Sequence, residues 1–226
     1  MEKCQVNHPH LDRSRHPGHG AIVIAGREPL RRLKDDTADL HQKAELHVRI
    51  LDADATLTDY RRYLAAMFGY HAPLEDVLGA HEGLRDAGFD PARRRKSPLL
   101  VADLRALGED PWALPPCVAV PPVTTLPRAL GVAYVLEGAT LGGRYILAKL
   151  PPQLAPLRGH ATAFLAGYGA QTGACWRAFA AVVARVLVTP EAEAEAVAGA
   201  RETFERLIDW LAPQTRAAGA ALREAS

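Results

Sequence analysis

Gly131 to Leu150 reads GVAYVLEGATLGGRYILAKL. The stretch is apolar enough for a buried helix, yet Gly138, Gly142 and Gly143 sit in its middle. A glycine inside a helix costs about 1 kcal/mol relative to alanine, so three cost roughly 3. A helix accepts that when something must approach its backbone closely. Gly138 and Gly142 are four apart and bare one face, and Gly143 widens the gap. Two readings compete at this point. One is a neighbouring helix packed into a groove of small residues, and the other is a flat ligand lying against the bared backbone.

The rest of the chain places this helix among others. Pro151 and Pro152 stop it, and the six prolines of PWALPPCVAVPPVTTLP (111–127) before it predict an extended connector. Leu30, Leu33, Thr37, His41, Ala44, Val48 and Leu51 recur at helical spacing. Their opposite side carries Lys34, Asp35, Asp36, Asp39, Gln42 and Lys43. Thr56 and Asp59 resemble a capping box at the start of a second helix, with Asp in place of the usual Glu. Pro73 inside that helix predicts a kink or break near His71. Further helices are predicted over 97–107, near 161–165 and over 176–188. The last begins at Thr189-Pro190, with Glu191 and Glu193 in its first turn, and is expected to end at Pro213. The pattern predicts an all-α fold of seven or eight helices in a single domain over 28–213. A flexible tail is expected over 1–27 and a fraying one over 214–226. The one strand-like run is Ala21 to Ala25.

Composition narrows the function classes. The chain has 226 residues, 48% of them hydrophobic and 23% charged, as in an ordinary globular protein. Its formal net charge of +1 gives no general case for binding nucleic acid or membrane. No apolar run approaches the roughly 18 residues of a membrane span, and no secretory leader is recognisable. Cys4, Cys117 and Cys175 are scattered and odd in number, which fits reduced thiols in a cytoplasm. A cytoplasmic location is expected. His8, His10, His16 and His19 match no standard metal-site spacing.

The first helix carries the chemical signal. A neutral imidazole at His41 is a candidate metal ligand, with Glu45 one turn on to accept a bond from its other nitrogen and orient the ring. Lys34 lies two turns before His41, about 10 Å along the axis. That suits a cation meeting an acidic group at the edge of a large ligand. A satisfied core histidine and a solvated lysine explain the same residues.

TADLHQKAE (37–45) together with YVLEGATLGGR (134–144) resembles the haem oxygenase family. DYRRYLAAMFGYHAPLE (59–75) and GYGAQTGACWRAF (167–179) resemble the bacterial branch found beside bacterial phytochromes. The resemblance spans roughly Leu30 to Leu211 and implies haem held between a proximal and a kinked distal helix. By the same resemblance His41 is the iron ligand and Glu45 its carboxylate partner. Gly138, Thr140, Gly142 and Gly143 form the distal catalytic wall, and Lys34, Tyr134 and Arg177 meet the haem propionates. Haem would be both cofactor and substrate, opened with O2 and an external electron donor (a ferredoxin or a reductase) to biliverdin, carbon monoxide and ferrous iron. A bacterial phytochrome is the implied recipient of biliverdin.

One departure from the family pattern stands out. The animal enzymes carry an aspartate directly after the first distal glycine, where this chain has Ala139. Thr140 or ordered water would then have to serve the distal proton path. A haem carrier without turnover is therefore a rival reading. A non-haem di-iron oxygenase of the same architecture is another, seeded by Glu137, His41 and His71, although the paired Glu-x-x-His motifs of such proteins are absent.

Overall fold

The structure, a computed structural model, describes residues 28–224. Eight α-helices occupy that span: α1 (Glu28–Glu45), α2 (Leu57–Ala80), α3 (Glu82–Asp86), α4 (Ser97–Ala106), α5 (Leu126–Lys149), α6 (Ala163–Ala166), α7 (Thr172–Val186) and α8 (Pro190–Glu224). Short 3-10 turns join them, and there is no strand among the described residues. The expected strand at 21–25, the four N-terminal histidines and Cys4 lie outside those residues.

Helix α1 buries Leu33, Thr37, Leu40 and Ala44. The predicted stripe ran on through Val48 and Leu51, but the helix stops at Glu45; Val48 precedes the 3-10 turn Arg49–Leu51 and Leu51 ends it. His41 lies beside the stripe and is exposed. Helix α2 starts with the expected capping box: Asp59 N–H donates to Thr56 Oγ1 at 3.2 Å, and Thr56 N–H donates to the Asp59 carboxylate at 2.9 Å.

Pro73 does not break α2, contrary to the expectation from sequence. Proline lacks an N–H, so the carbonyl four residues earlier, at Gly69, loses its helical donor. The proline-rich connector supplies a replacement, because Cys117 N–H donates to that carbonyl at 2.8 Å. Gly69 also lets the connector come close: a Cβ there would stand 2.6 Å from the Pro115 carbonyl oxygen and 2.8 Å from the Trp210 ring. Pro73 and Gly69 together dock the connector against α2. Pro213 likewise fails to end α8, which continues to Glu224.

Helices α5 and α8 pack most closely. A Cβ on Gly131 would meet the Ala196 carbonyl oxygen at 2.0 Å, and one on Gly199 would meet the Arg128 carbonyl oxygen at 2.5 Å. Buried Ala196 and Ala200 complete a small-residue contact. Helix α1 lies along α8 through Arg32–Glu193 at 2.7 Å and Arg201–Asp39 at 3.0 Å. One apolar cluster joins α1, α5, α7, α8 and the second half of α2. A second surrounds the first half of α2, α4 and α6.

Buried carboxylates tie the shorter helices to the longer ones. Glu75 on α2 accepts the Lys96 N–H (2.6 Å), the Ser97 N–H (3.2 Å) and the Ser97 hydroxyl (2.6 Å), so it serves the N-terminus of α4. Asp103 on α4 accepts the Ala163 and Phe164 N–H groups, both at 2.8 Å, at the start of α6. Free N–H groups at a helix start are natural anion sites.

Two outcomes follow from these contacts. Gly131→Ala drives a Cβ into the α8 backbone, and urea denaturation is expected to show a loss of about 3 kcal/mol. Burial opposes ionisation of Glu75, but the nearby His71 imidazole, the Ser97 hydroxyl and the Lys96 N–H more than offset it and hold its pKa at about 2, against an ordinary 4.5. A carboxylate with a lowered pKa contributes stability above its unfolded value, lost as pH falls through the folded one. Stability is therefore expected to drop by about 3 kcal/mol between pH 4.5 and 2, and Glu75→Gln to flatten that slope.

Candidate functional site

The site is built on α1 and α5, which approach one another where the Tyr134 hydroxyl nears the Thr37 side chain. Thr37 is held in turn by donating to the Leu33 carbonyl at 2.7 Å. The Tyr134 ring lies 6.0 Å from that of Trp176 on α7, and burial pushes its hydroxyl pKa up. His41 is one turn beyond Thr37 on α1, and Gly138 is one turn beyond Tyr134 on α5. Each therefore lies within about 5–6 Å, along its own axis, of the same contact.

His41 presents its imidazole to solvent, with the side chain 58% exposed. Its Nδ1 is 3.4 Å from Glu45 Oε1. The carboxylate favours the proton on Nδ1 and leaves the lone pair on Nε2. Phe204 of α8 meets the same ring edge-on, with centroids 5.7 Å apart. An exposed histidine–glutamate pair adds little to stability, so the arrangement holds a ring in place rather than the fold.

The glycines of α5 divide into two groups. A Cβ on Gly138 or on Gly142 would meet nothing within 4 Å. The face they share also carries Tyr134, Leu141 (42% exposed) and Tyr145 (63% exposed). Gly143 lies elsewhere: its Cβ would stand 2.9 Å from the Leu165 carbonyl oxygen, so it is the close-packing glycine between α5 and the α6 segment. It therefore does not share the open face of Gly138 and Gly142. Thr140 does not lie on that face either. It is buried, its hydroxyl donates to the Glu137 carbonyl at 2.6 Å, and its Cβ lies against Gly167. Its proton is already committed to the helix backbone.

The cations expected at the propionates are placed unequally. Lys34 is exposed on α1, one turn before Thr37. Arg177, next in sequence to Trp176, is exposed, with Nη1 3.4 Å from where a Cβ on Gly173 would stand. The Tyr134 hydroxyl is engaged with Thr37. Sequence reasoning did not assign Thr37, Trp176, Phe204 or Leu141 to the site. Leu141 is detectable in principle, three residues after Gly138 on the same face. Phe204 is not, because its contact with His41 spans 163 positions.

Behind the glycine face lies a buried ionic cluster. Glu137 Oε1 accepts from Lys96 Nζ at 2.6 Å and from the Tyr168 hydroxyl at 2.7 Å, and Oε2 accepts from Arg94 at 3.0 Å. The Lys96 ammonium and the Arg94 guanidinium lie over the Tyr168 ring at 5.2 and 5.6 Å. Burial lowers the Lys96 pKa against the pull of Glu137. With its carboxylate held by two cations, Glu137 is no ligand for a di-iron centre. His71 is buried on another helix beside Glu75, and no group of three or more His, Cys, Asp or Glu side chains among the described residues is arranged to hold a metal ion.

An imidazole with its Nδ1 beside a carboxylate and its ring exposed, together with a helix face where Cβ atoms are missing, suits a flat apolar ring carrying a metal at its centre. Comparison with known proteins points the same way. The family model described as heme oxygenase matches residues 117–213. A heme oxygenase of Xanthomonas campestris pv. campestris (strain 8004) is 32% identical over 166 residues, covering 74% of this chain and 94% of that protein. The fold is similar to that of the NO- and CO-bound heme oxygenase from Neisseria meningitidis, with TM-score 0.70 and 26% identity, over 83% of this chain and 92% of that one.

The two glycine groups are separable by substitution. Gly138→Ala is expected to leave the stability of the ligand-free protein unchanged or raised by up to about 1 kcal/mol, through helix propensity alone. Gly143→Ala is expected to lose about 1–3 kcal/mol by crowding Leu165. Paired denaturation curves check both.

Proposed function

This chain belongs to the haem oxygenase family, and from that premise we propose how its own residues serve the family's reaction, the opening of haem to biliverdin with release of carbon monoxide and ferrous iron. When bound, haem supplies the iron at which O2 is reduced by delivered electrons and the macrocycle that is opened. The assignment of residues is supported by exposed His41 with Glu45 at its Nδ1 on α1, and by the face of α5 where a Cβ on Gly138 or Gly142 would meet nothing within 4 Å.

His41 Nε2 is the iron ligand in this reading. Glu45 favours the proton on Nδ1, which leaves the Nε2 lone pair for the iron and fixes the ring in rotation. A neutral imidazole donates less charge to iron than a thiolate, which favours oxidation of the ring over cleavage of the oxygen–oxygen bond. Phe204 limits how far the His41 ring can swing. On the opposite side, Gly138 and Gly142 let the backbone approach the ring, and Leu141 and Tyr145 add apolar cover that excludes water. The polar groups of Glu137 and Thr140 are spent on the buried side of α5, so this face offers shape rather than a strong acid. With Thr140 committed, ordered water is left to deliver protons there. Lys34 and Arg177 are the cations for the propionates, and Tyr134 bounds that end of the site through Thr37.

Electrons come from an external donor of the ferredoxin or reductase type, and biliverdin passes to a bacterial phytochrome; both rest on the motifs shared with the phytochrome-associated branch. A cytoplasmic setting agrees with the free thiols of Cys117 and Cys175. No helix among the described residues is long and apolar enough to cross a membrane.

A haem titration followed by absorption tests this assignment. Wild type is expected to give a one-to-one histidine-ligated Soret band that bleaches to a biliverdin spectrum on adding reductant and O2. His41→Ala is expected to shift that band and lower turnover at least 100-fold. An unchanged band in His41→Ala would mean that another residue ligates the iron. Haem that binds to wild type and survives reductant and O2 would make the protein a carrier.

A further inference from the structure

We infer that Glu137 is a positioning residue for the haem-facing surface of α5, acting through the buried cluster of Lys96, Arg94 and Tyr168. The inference rests on the assignment of Gly138 and Gly142 to the haem face.

Glu137 immediately precedes Gly138, and its buried side chain leaves the helix about 100° around from that glycine. Its carboxylate is 2% exposed and receives three hydrogen bonds from two segments of chain, the connection before α4 and the loop after α6. Arg94 comes from the 3-10 turn Pro91–Arg94, Lys96 from the residue that precedes α4, and Tyr168 from the loop after α6. The cluster is itself braced. Arg94 also donates to the Cys175 carbonyl of α7 at 3.3 Å, and the Lys96 backbone N–H is held by Glu75 of α2 at 2.6 Å. One carboxylate thus registers α5 against α2, α4, α6 and α7 at the residue where the bare face begins.

The backbone at this point is adjusted too. The Glu137 carbonyl accepts the Thr140 hydroxyl at 2.6 Å, in addition to whatever the helix supplies. Side-chain bonds of this kind compete with the helical ladder and bend helices. A glycine-bearing helix has little side-chain packing of its own to resist sliding or rotation at Gly138 and Gly142. The Glu137 cluster supplies that resistance from behind.

A residue that only stabilised the fold would change the unfolding midpoint and leave the geometry over the iron as it was. A positioning residue changes that geometry in molecules that remain folded and haem-bound. The test uses carbon monoxide on the reduced haem complex as probe, read by its infrared stretch, together with the biliverdin isomer distribution after turnover. Glu137→Gln keeps the shape and removes the charge, and Tyr168→Phe removes one hydrogen bond while leaving the ion pair intact.

Both variants are expected to bind haem within about threefold of wild type. Their C–O band is expected to broaden or split, and a second biliverdin isomer to make up at least a tenth of the product. If Glu137→Gln does not fold, Tyr168→Phe alone decides. A C–O band and isomer distribution identical to wild type in every folded variant would overturn the inference and leave the cluster a purely structural one. Wild type that binds no haem would instead overturn the assignment of the face itself, which separates the two failures.

Discussion

The contact between Glu137 and its three donors is the constraint on which the arrangement of the molecule turns. Desolvating a carboxylate and an ammonium costs several kcal/mol for each ion, and one attraction seldom recovers it. Here the carboxylate is satisfied by a lysine, an arginine and a tyrosine together, and the cations lie over aromatic rings. Removing any member leaves the others buried and short of partners. Glu75 and Asp103 repeat the device with backbone N–H groups. The short helices α4 and α6 are thus fixed by carboxylates projecting from neighbouring helices as well as by buried Leu100, Leu104, Phe164 and Leu165.

That scaffold explains why α5 can tolerate so many glycines. Gly131 and Gly143 are occupied by the backbones of α8 and of the α6 segment, so their missing Cβ atoms are compensated by close packing. Gly138 and Gly142 have no such neighbour and give the fold nothing that alanine would not. The packing reading of the glycine stretch holds at Gly131 and Gly143, and the ligand reading proposed above is left to Gly138 and Gly142. One physical property, absence of a side chain, serves helix packing on one side and an open ligand-facing surface on the other.

Much of the fold was legible in the sequence because it rests on local signals. The Thr56–Asp59 cap, the proline stop after α5, the extended 114–124 connector and the start of α8 at Pro190 all follow from rules that act within a few residues. Pro73 and Pro213 misled because each rule concerns a single helix, whereas at Pro73 the freed Gly69 carbonyl found its donor 48 positions away at Cys117. The site was legible in part for the same reason. The spacing of His41 and Glu45, and of Gly138 and Gly142, is local. That Thr140 and Gly143 pack away from the open face of Gly138 and Gly142 was not legible, because sequence fixes that residues share a helix but not which of its sides a partner will cover. Thr37, Phe204 and the donors of Glu137 reach the site only through tertiary contacts.

The division of α5 also bears on the chemistry the site permits. Every polar side chain at its centre is turned to the buried side and already bonded, Glu137 to its cations and Tyr168, Thr140 to the helix backbone. The same packing that anchors the helix therefore strips the open face of acid and base. In the proposed site such a surface would act by closeness and by excluding bulk water rather than by proton donation from Glu137 or Thr140. Ala139 fits that logic, because an exposed carboxylate at that position would be a polar side chain of this segment not committed to the scaffold. On the inference drawn for Glu137, the height and rotation of the α5 backbone would then steer the chemistry, set by buried residues that do not touch the ligand.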